Sequence, residues 1–286
     1  MNTNSFDANS FKAGQRQQWN GVAAGWKKWW ETMERMSKNV TQRIIEMADI
    51  QPDQNVLDIA TGIGEPALSV APLIGEKGKV VATDVSPEML SIAQERANGL
   101  GITNVEFQEL DAEEINFPEN QFDSIVCRWG LMFLPDVDTA LNSIHRMLLP
   151  DGKFATAVWD LPEKIPFFSF AVLTLKDMFD VPPPPPDAPT MTGLADGVLE
   201  NHMEKTGFRN IVSEKITVNF EFSSGGEYAE LMKDIAAPLN MMLVKQTPEA
   251  KAEYWQTLEE SVAQKFASGS GAVILPSVTL LVAGQK

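Results

Sequence analysis

The residues with the clearest chemical pattern form a glycine-rich turn between a short apolar run and a helix-like stretch. The turn has the sequence GIGEPA at residues 62–67 and follows the apolar run Val56–Ala60. Glycines allow such a turn to bend tightly and let the backbone approach a ligand closely. Asp84 ends a second apolar run about 20 residues later, where a carboxylate can accept hydrogen bonds from ribose hydroxyls. The pattern predicts a nucleotide-type cofactor, and both NAD and S-adenosylmethionine (AdoMet) satisfy it.

Two further carboxylates narrow the choice of cofactor. Asp58 lies inside the first apolar run, where a carboxylate is costly unless it is hydrogen-bonded. From there it can order the glycine turn or bind the amino group of a methionine moiety. Asp111 ends a third apolar run and can accept from an adenine amino group, with Ala112 next to the ring. Together these two carboxylates favour AdoMet.

Alternating strands and helices are needed to position these residues, and the middle of the chain predicts them. The predicted strands are Val56–Ala60, Lys79–Asp84, Val105–Asp111, Phe122–Trp129 and Gly152–Trp159. Ser86 as N-cap and Pro87 at the first helical position start the helix after the second strand. The alternation implies right-handed crossovers and a parallel sheet that is covered on both faces. Ligands of such sheets bind beyond the carboxyl ends of the strands.

Helical patterns dominate the segments on either side of this core. Tryptophans recur at helical spacing near the amino terminus, and a last apolar run ends the chain. The predicted divisions are an N-terminal helical lid at 1–50, an AdoMet-binding core at 51–160, a substrate-side segment with the sixth strand at 161–222, a helical cap at 223–271, and a final strand at 272–286.

Composition and charge exclude several classes of protein. The formal net charge of −16, from 39 acidic and 23 basic residues, disfavours nucleic acid, because phosphate binding depends on Lys and Arg. No apolar run reaches the roughly 20 residues of a membrane span. The amino terminus lacks a secretory signal, so we expect a cytoplasmic protein. A single cysteine and two distant histidines predict no metal site.

Several segments, in the same order along the chain, resemble a known enzyme superfamily. VLDIATGIGEPAL, VVATDVSPEML, LDAEEINFP, FDSIVCRWGLMFLPD and HRMLLPDGKF are similar to motifs of class I AdoMet-dependent methyltransferases. Within that superfamily, residues from about 40 to 160 resemble the menaquinone and ubiquinone biosynthesis methyltransferases. The resemblance implies an α/β fold with a Rossmann-like seven-stranded mixed sheet flanked by helices. The helical lid precedes this sheet, and the cap is inserted between its last two strands.

The resemblance also implies a set of cofactor-binding residues. These are Asp58, Ala60, Thr61, Gly62, Gly64, Asp84, Val85, Met89, Asp111, Ala112, Arg128 and Trp129. The glycine turn would line the methionine end, and Asp84 would accept from the ribose. Arg128 would lie beside the methionine, although a surface ion pair is an alternative for it. The implied reaction transfers the methyl group of AdoMet and leaves S-adenosylhomocysteine.

The methyl acceptor is less well defined than the donor. Where the quinone enzymes resemble GLRNVPD, this chain has GLMFLPD, which places Met132 and Phe133 at polar positions. This departure favours a small lipophilic or aromatic acceptor. Trp19 and Trp26 are candidates to line its pocket, or they simply attach a helix to the core. No catalytic base is assigned, because methyl transfer needs one only when the acceptor must lose a proton.

Other functions are also compatible with parts of the sequence. An NAD-type oxidoreductase and a non-catalytic AdoMet-binding regulator both fit the glycine turn. Methylation of a macromolecule is disfavoured by the charge and by the absence of an Asn/Asp-Pro-Pro-Tyr/Phe motif. The acceptor, the atom that is methylated and the oligomeric state stay open, with a homo-oligomer among the options.

Overall fold

The computed structural model describes residues 6–269 and 271–286. The first five residues of the predicted lid, and residue 270 of the predicted cap, lie outside that range. The strands of the described chain are β1 Asn55–Ile59, β2 Lys79–Asp84, β3 Val105–Glu109, β4 Phe122–Arg128, β5 Leu148–Trp159, β6 Arg209–Phe222 and β7 Val273–Gln285.

These strands form one seven-stranded sheet in the order β3-β2-β1-β4-β5-β7-β6. Strands β1 to β5 pair in parallel, and β7 runs antiparallel to β5. Helices connect β1 to β2, β2 to β3 and β4 to β5, whereas residues 110–121 connect β3 to β4 without a helix. The predicted mixed sheet with an antiparallel finish is confirmed.

Helices occupy most of the remaining described chain. They are α1 Ala8–Met47, α2 Ala67–Ile74, α3 Pro87–Leu100, α4 Val137–Met147, α5 Pro166–Met178, α6 Val198–Thr206, α7 Gly225–Ile235, α8 Ala237–Leu243 and α9 Pro248–Phe266. Ser86 caps α3 as predicted, since its hydroxyl accepts a hydrogen bond from the Met89 amide at 3.1 Å. Helices α7 to α9 lie between β6 and β7 in the chain, which confirms the predicted insertion.

Two compact units divide the chain. The helical unit comprises Met1–Met36, Leu161–Ala188 and Thr217–Val278, and the sheet unit comprises Ser37–Asp160, Pro189–Ile216 and Thr279–Lys286. Three elements, α1, β6 and β7, therefore contribute residues to both units.

The helical unit has an aromatic core. Phe167 stacks on Phe220 with ring centroids 3.8 Å apart. The buried Tyr228 hydroxyl donates to the Phe167 carbonyl at 2.8 Å, and the Tyr254 hydroxyl donates to the Ala171 carbonyl at 2.9 Å. These hydrogen bonds connect α7 and α9 to α5, so both tyrosines have structural roles. None of the helices in the described parts of the chain has the length and apolar character that crossing a bilayer requires.

Candidate cofactor site

The candidate site lies at the carboxyl ends of β1, β2 and β4. The chain proceeds from β1 outward to β2 and β3 on one side, and returns to place β4 and β5 on the other. The crevice at such a reversal of strand order is the usual ligand site of open α/β sheets. The glycine turn follows β1 at this point.

Local hydrogen bonds shape the glycine turn. The amides of Gly64 and Glu65 donate to the Thr61 carbonyl at 2.9 and 3.1 Å. Gly64 has a φ of +110°, and a Cβ there would lie 2.7 Å from the Leu68 side chain. At Gly62 (φ +56°), a Cβ would meet no described heavy atom within 4 Å beyond its chain neighbours. Gly64 therefore combines a backbone conformation that favours glycine with little room for a side chain, whereas Gly62 leaves one side of the turn open.

Asp58 is fully buried in β1 and holds the two ends of the turn. Its Oδ2 accepts hydrogen bonds from the Thr61 hydroxyl at 2.6 Å and the Ala67 amide at 2.9 Å. Its Oδ1 is buried and finds no hydrogen-bond partner in the part of the chain that the structure describes. Burial raises the pKa of Asp58 to about 7, although these two hydrogen bonds and the charge of Arg128 act to lower it. Among the described residues, Oδ1 of this carboxyl is therefore an acceptor that a ligand could use.

Asp84 connects β2 to the glycine turn and to α3. Its two oxygens accept from the Gly62 amide at 2.8 Å and the Ser86 amide at 2.9 Å. Burial raises the pKa of this carboxyl above its ordinary value, against the opposing effect of the amide hydrogen bonds. Next to it, Val85 is partly exposed, whereas Met89 is buried in the first turn of α3.

Asp111 and Ala112 follow β3, which ends at Glu109 and is thus shorter than predicted. Both residues are partly exposed. The Glu113 amide donates to Asp111 Oδ1 at 2.9 Å, which fixes the carboxylate in a local turn. This places Asp111 just beyond the edge of the sheet that carries Asp84.

Two non-glycine residues with left-handed backbones lie at the ends of β1 and β4. Ala60 has a φ of +57° and Trp129 a φ of +59°. A Cβ at Gly130 would lie only 2.6 Å from the Ala60 Cβ, so the two strand ends are in close contact. Left-handed non-glycine residues are uncommon and cluster at functional sites. The pair marks the crevice between β1 and β4.

Arg128 and Trp129 are fixed by contacts within the sheet unit. Arg128 Nη1 donates to the Thr41 hydroxyl at 2.6 Å. The Trp129 indole donates to the Thr279 hydroxyl at 2.9 Å and stacks on Trp159 at 4.6 Å. Both side chains are therefore held at the carboxyl end of β4.

The residues that were predicted to contact the methyl acceptor belong to different compact units of the chain. Met132 and Phe133 form a short 3₁₀ turn in the sheet unit, where Met132 is buried and Phe133 is partly exposed. Trp19 and Trp26 belong to α1 in the helical unit, and both are partly exposed. The Trp19 indole donates to Gln15 at 3.2 Å.

Arg96 and Glu65 are the residues that sequence reasoning missed. Arg96 on α3 donates to the Ile63 carbonyl and pairs with Glu65, so both side chains belong to the support of the turn. No local signal identifies Arg96, because it follows the turn by about 30 residues. A clue was available in Glu65, an acid at a position that the strand–turn–helix pattern buries.

The two histidines and the single cysteine make contacts that support the fold. The His145 ring packs edge-on against Phe208, and His202 Nδ1 lies 2.5 Å from an Asp138 oxygen. Cys127 is buried inside β4, and burial raises the pKa of its thiol to about 12. In the described ranges, no group of three or more His, Cys, Asp or Glu residues is arranged to hold a metal ion.

Solved structures of similar shape define the fold class. The YcgJ protein of Bacillus subtilis has a TM-score of 0.58 at 20% identity and covers 87% of this chain and 98% of its own. Haemonchus contortus phosphoethanolamine N-methyltransferase 2 has a TM-score of 0.56 at 20% identity, over 91% of this chain and 57% of its own. The [4+2]-cyclase SpnF has a TM-score of 0.53 at 16% identity, over 92% of this chain and 94% of its own. The fold is the Rossmann-like fold of class I methyltransferases, and such a fold by itself hosts different reactions.

Sequence similarity assigns the chain to a narrower group of proteins than the fold does. The profile of the ubiE/COQ5 methyltransferase family matches residues 26–172, just over half of the chain, and the chain belongs to that family. The ubiquinone/menaquinone biosynthesis C-methyltransferase UbiE of Shewanella sp. (strain ANA-3) is 37% identical over 120 residues, which is 42% of this chain and 48% of that protein. Its Escherichia coli O1:K1 / APEC counterpart is 36% identical over 119 residues, which is 41% of this chain and 47% of that protein. The chain spans about half the length of the curated relatives it matches.

Proposed function

We propose that this chain is an AdoMet-dependent methyltransferase that acts on a small lipophilic or aromatic acceptor. The observation that carries the proposal is the arrangement of Asp58 and Asp84 on the glycine turn. Asp84 holds the Gly62 amide, while Asp58 holds both ends of the turn and has one buried oxygen that no described residue hydrogen-bonds. Membership of the ubiE/COQ5 methyltransferase family supports the same conclusion.

The atoms of the site fit AdoMet at its methionine end. A buried carboxylate oxygen without a donor is costly, and a charged ammonium group is the donor that offsets this cost best. The methionine moiety carries such an ammonium, and Asp58 Oδ1 is the oxygen that would accept from it. The open side of Gly62 leaves room for a ligand against the backbone.

Asp84 and Asp111 are the proposed contacts of the nucleoside. An ionised carboxylate has about four acceptor positions, and the Gly62 and Ser86 amides use one on each oxygen of Asp84. The Val85 amide also acts as a hydrogen-bond donor to this carboxylate, and the acceptor capacity that is left is proposed for the ribose hydroxyls. Asp111, whose Oδ1 accepts from the Glu113 amide, is the proposed contact of the adenine amino group, with Ala112 beside the ring and Val85 and Met89 near the adenosine.

When bound, AdoMet would supply a methyl group on a positively charged sulfur: the electron pair of the acceptor would bond to the methyl carbon while the carbon–sulfur bond breaks and S-adenosylhomocysteine leaves. The work of the protein is to orient the donor and exclude water, since alignment alone can supply a large part of the acceleration. Arg128 and Trp129, fixed by Thr41 and Thr279, are the proposed side chains beside the methionine. No group of the chain is assigned as a base.

Met132 and Phe133 are the proposed acceptor contacts of the sheet unit. Their position directly after β4 and their apolar side chains favour a lipophilic or aromatic acceptor. The UbiE relatives are named for ubiquinone and menaquinone biosynthesis and for methylation at carbon, so a quinol ring carbon is the first acceptor to test. The acceptor roles of Trp19 and Trp26, the lid and cap divisions, and a cytoplasmic location stay predictions from the sequence.

The decisive experiment measures methyl transfer from radiolabelled AdoMet. The protein is incubated with a demethylated prenyl quinol and, separately, with a metabolite extract, and the labelled product is identified by mass spectrometry. We expect label in a small lipophilic molecule. Label found only in protein or RNA would contradict the small-molecule acceptor, and AdoMet binding without turnover of any acceptor would favour the regulator.

The variant Asp84→Ala tests the cofactor site directly. Removing the carboxylate releases the Gly62 amide and the proposed ribose contact together, so we expect AdoMet affinity to fall roughly 100-fold. Calorimetry on the variant measures it, with Asp138→Ala, an exposed acid on α4, as the control. Unchanged affinity in Asp84→Ala would show that the cofactor assignment is wrong.

A further inference from the structure

Arg96 contacts the glycine turn from α3, although it has no place in the cofactor site proposed above. Its Nη1 donates to the Ile63 carbonyl at 2.5 Å, and its Nη2 lies 3.3 Å from Glu65 Oε1. The two side chains are 10% and 8% exposed, so the ion pair is almost fully buried. The second oxygen of Glu65 accepts from the Ser69 hydroxyl at 2.6 Å. The pair therefore connects α3, the turn and α2.

The contacts of Arg96 and Asp84 fall on consecutive residues of the turn. Asp84 accepts from the Gly62 amide, and Arg96 donates to the carbonyl of Ile63. One turn before Arg96 on the same helix, Ala93 packs against Gly64, where an added Cβ would lie 3.3 Å away. Helix α3 thus holds the turn by an ion pair and by direct packing.

We propose that the Arg96–Glu65 pair is a positioning device that keeps the glycine turn in the conformation that binds AdoMet. The inference rests on the proposed function. Glycine residues give the turn wide backbone freedom, and ordering that backbone upon binding would subtract from the affinity. A guanidinium that is fixed on a helix and bonded to the Ile63 carbonyl removes this cost before the cofactor arrives. Glu65 keeps the guanidinium in place and neutralises its buried charge.

The test compares four variants with the wild-type protein. Arg96→Met removes the guanidinium, and Arg96→Lys keeps a charge that can reach one of the two acceptors. The double variant Glu65→Gln/Arg96→Met removes both charges, because a lone buried charge would destabilise the fold by itself. Arg43→Met is the matched control, since Arg43 pairs with Glu214 and Glu46 in the same unit without contacting the turn.

Calorimetry with AdoMet gives the first measurement. We expect the Kd to rise about tenfold in Arg96→Met and in the double variant, less in Arg96→Lys, and not at all in Arg43→Met. The unfolding temperature without ligand should fall in Arg96→Met and recover in the double variant. A raised Kd together with a recovered unfolding temperature separates positioning from a loss of stability.

Amide hydrogen exchange of residues 61–65 in the ligand-free protein gives the second measurement. We expect faster exchange there in the double variant than in Arg43→Met. A double variant with wild-type Kd and wild-type exchange would overturn the positioning role. If the wild-type protein failed to bind AdoMet, the proposed function would fall, while the exchange measurement would still decide whether Arg96 and Glu65 order the turn.

Discussion

Asp58 is the residue whose chemistry depends most on its surroundings. It lies near the carboxyl end of β1, between the neighbouring strands β2 and β4, and is completely buried. Within the described part of the chain only one of its two oxygens is hydrogen-bonded, so burial dominates and the pKa rises to about 7. Its charge therefore depends on pH in the range where the protein would work.

AdoMet binding should depend on pH through Asp58. Only the ionised carboxylate attracts the ammonium of the methionine, so we expect affinity to fall as the pH drops below about 7, approaching tenfold per pH unit. Calorimetry from pH 5.5 to 8.5 measures this dependence. In Asp58→Asn the affinity should be low and nearly independent of pH. A wild-type profile that stays flat across pH 7 would contradict the proposed contact.

The same pKa predicts a pH dependence of stability without ligand. Because the folded-state pKa of about 7 lies above the ordinary value of 3.8, the folded protein keeps a proton that the unfolded chain loses. The contribution of Asp58 to the free energy of unfolding therefore decreases as pH rises from about 4 to about 7, and is constant above. We expect the free energy of unfolding of Asp58→Asn, relative to that of the wild-type protein, to rise as the pH increases across that window. Denaturant unfolding of both proteins measures this difference. A difference that is constant with pH would argue against the raised pKa.

Cys127 should be inert in the folded protein. Its thiol is buried in β4, and burial raises its pKa to about 12, so the reactive thiolate is scarce at neutral pH. We expect a disulfide reagent such as Ellman's to react with one thiol per chain in denaturant and far more slowly without it. Rapid reaction of the native protein would show that β4 opens readily.

At the scale of elements, the packing of α1 on α7 makes a specific prediction. A Cβ at Gly25 would lie 2.1 Å from the Asp234 carbonyl oxygen, whereas at Gly21, one turn earlier, it would meet no described atom within 4 Å. The Lys28 ammonium and the Trp29 indole both bond the Asp234 carboxylate at 2.8 Å. Gly25 is therefore the point of close approach between the two helices.

Alanine at the two glycines of α1 should have opposite effects. Gly25→Ala should lower the free energy of unfolding by roughly 1–3 kcal/mol, because the helices must separate. Gly21→Ala should raise it by up to about 1 kcal/mol through helix propensity. Denaturant unfolding measures both variants. Equal effects at the two positions would contradict the close contact.

The element boundaries show where sequence patterns are reliable. Strand β2 and helix α3 begin where Lys79 and the Ser86 cap predict, because caps and buried runs are local signals. Strand β5 begins earlier than predicted, at Leu148, since Leu148 pairs with Phe122 across a register shift. That pairing depends on a distant strand and leaves no trace in the local sequence.

At the scale of the whole molecule, ligand-linked stabilisation distinguishes the candidate cofactors. A ligand that binds only the folded state at 100 times its Kd adds about 2.7 kcal/mol to the free energy of unfolding. We expect AdoMet and S-adenosylhomocysteine to raise the unfolding temperature and NAD to leave it unchanged. A shift with NAD but not with AdoMet would favour the oxidoreductase.

Some residues of the candidate site can be predicted from the local sequence, whereas others depend on contacts between residues that are far apart in the chain. The residue types and spacing of Asp58, the glycine turn and Asp84 point to a cofactor site without any coordinates. The partners of Arg128 on α1 and the contact of Arg96 with Ile63 are long-range, and no spacing rule predicts them. The positions of the ligand-facing carboxylates could be predicted, whereas the residues that support them could not.

The sequence by itself determined the alternation of strands and helices, the glycine turn and the carboxylates at the strand ends. Each of these follows from local chemistry: periodic burial, helix capping and the backbone freedom of glycine. Only the tertiary structure decided that one oxygen of Asp58 has no partner among the described residues, that burial raises its pKa to about 7, and that Arg96 contacts the turn. These properties arise from which distant side chains surround a buried group, and that is fixed by packing, which no short stretch of sequence contains.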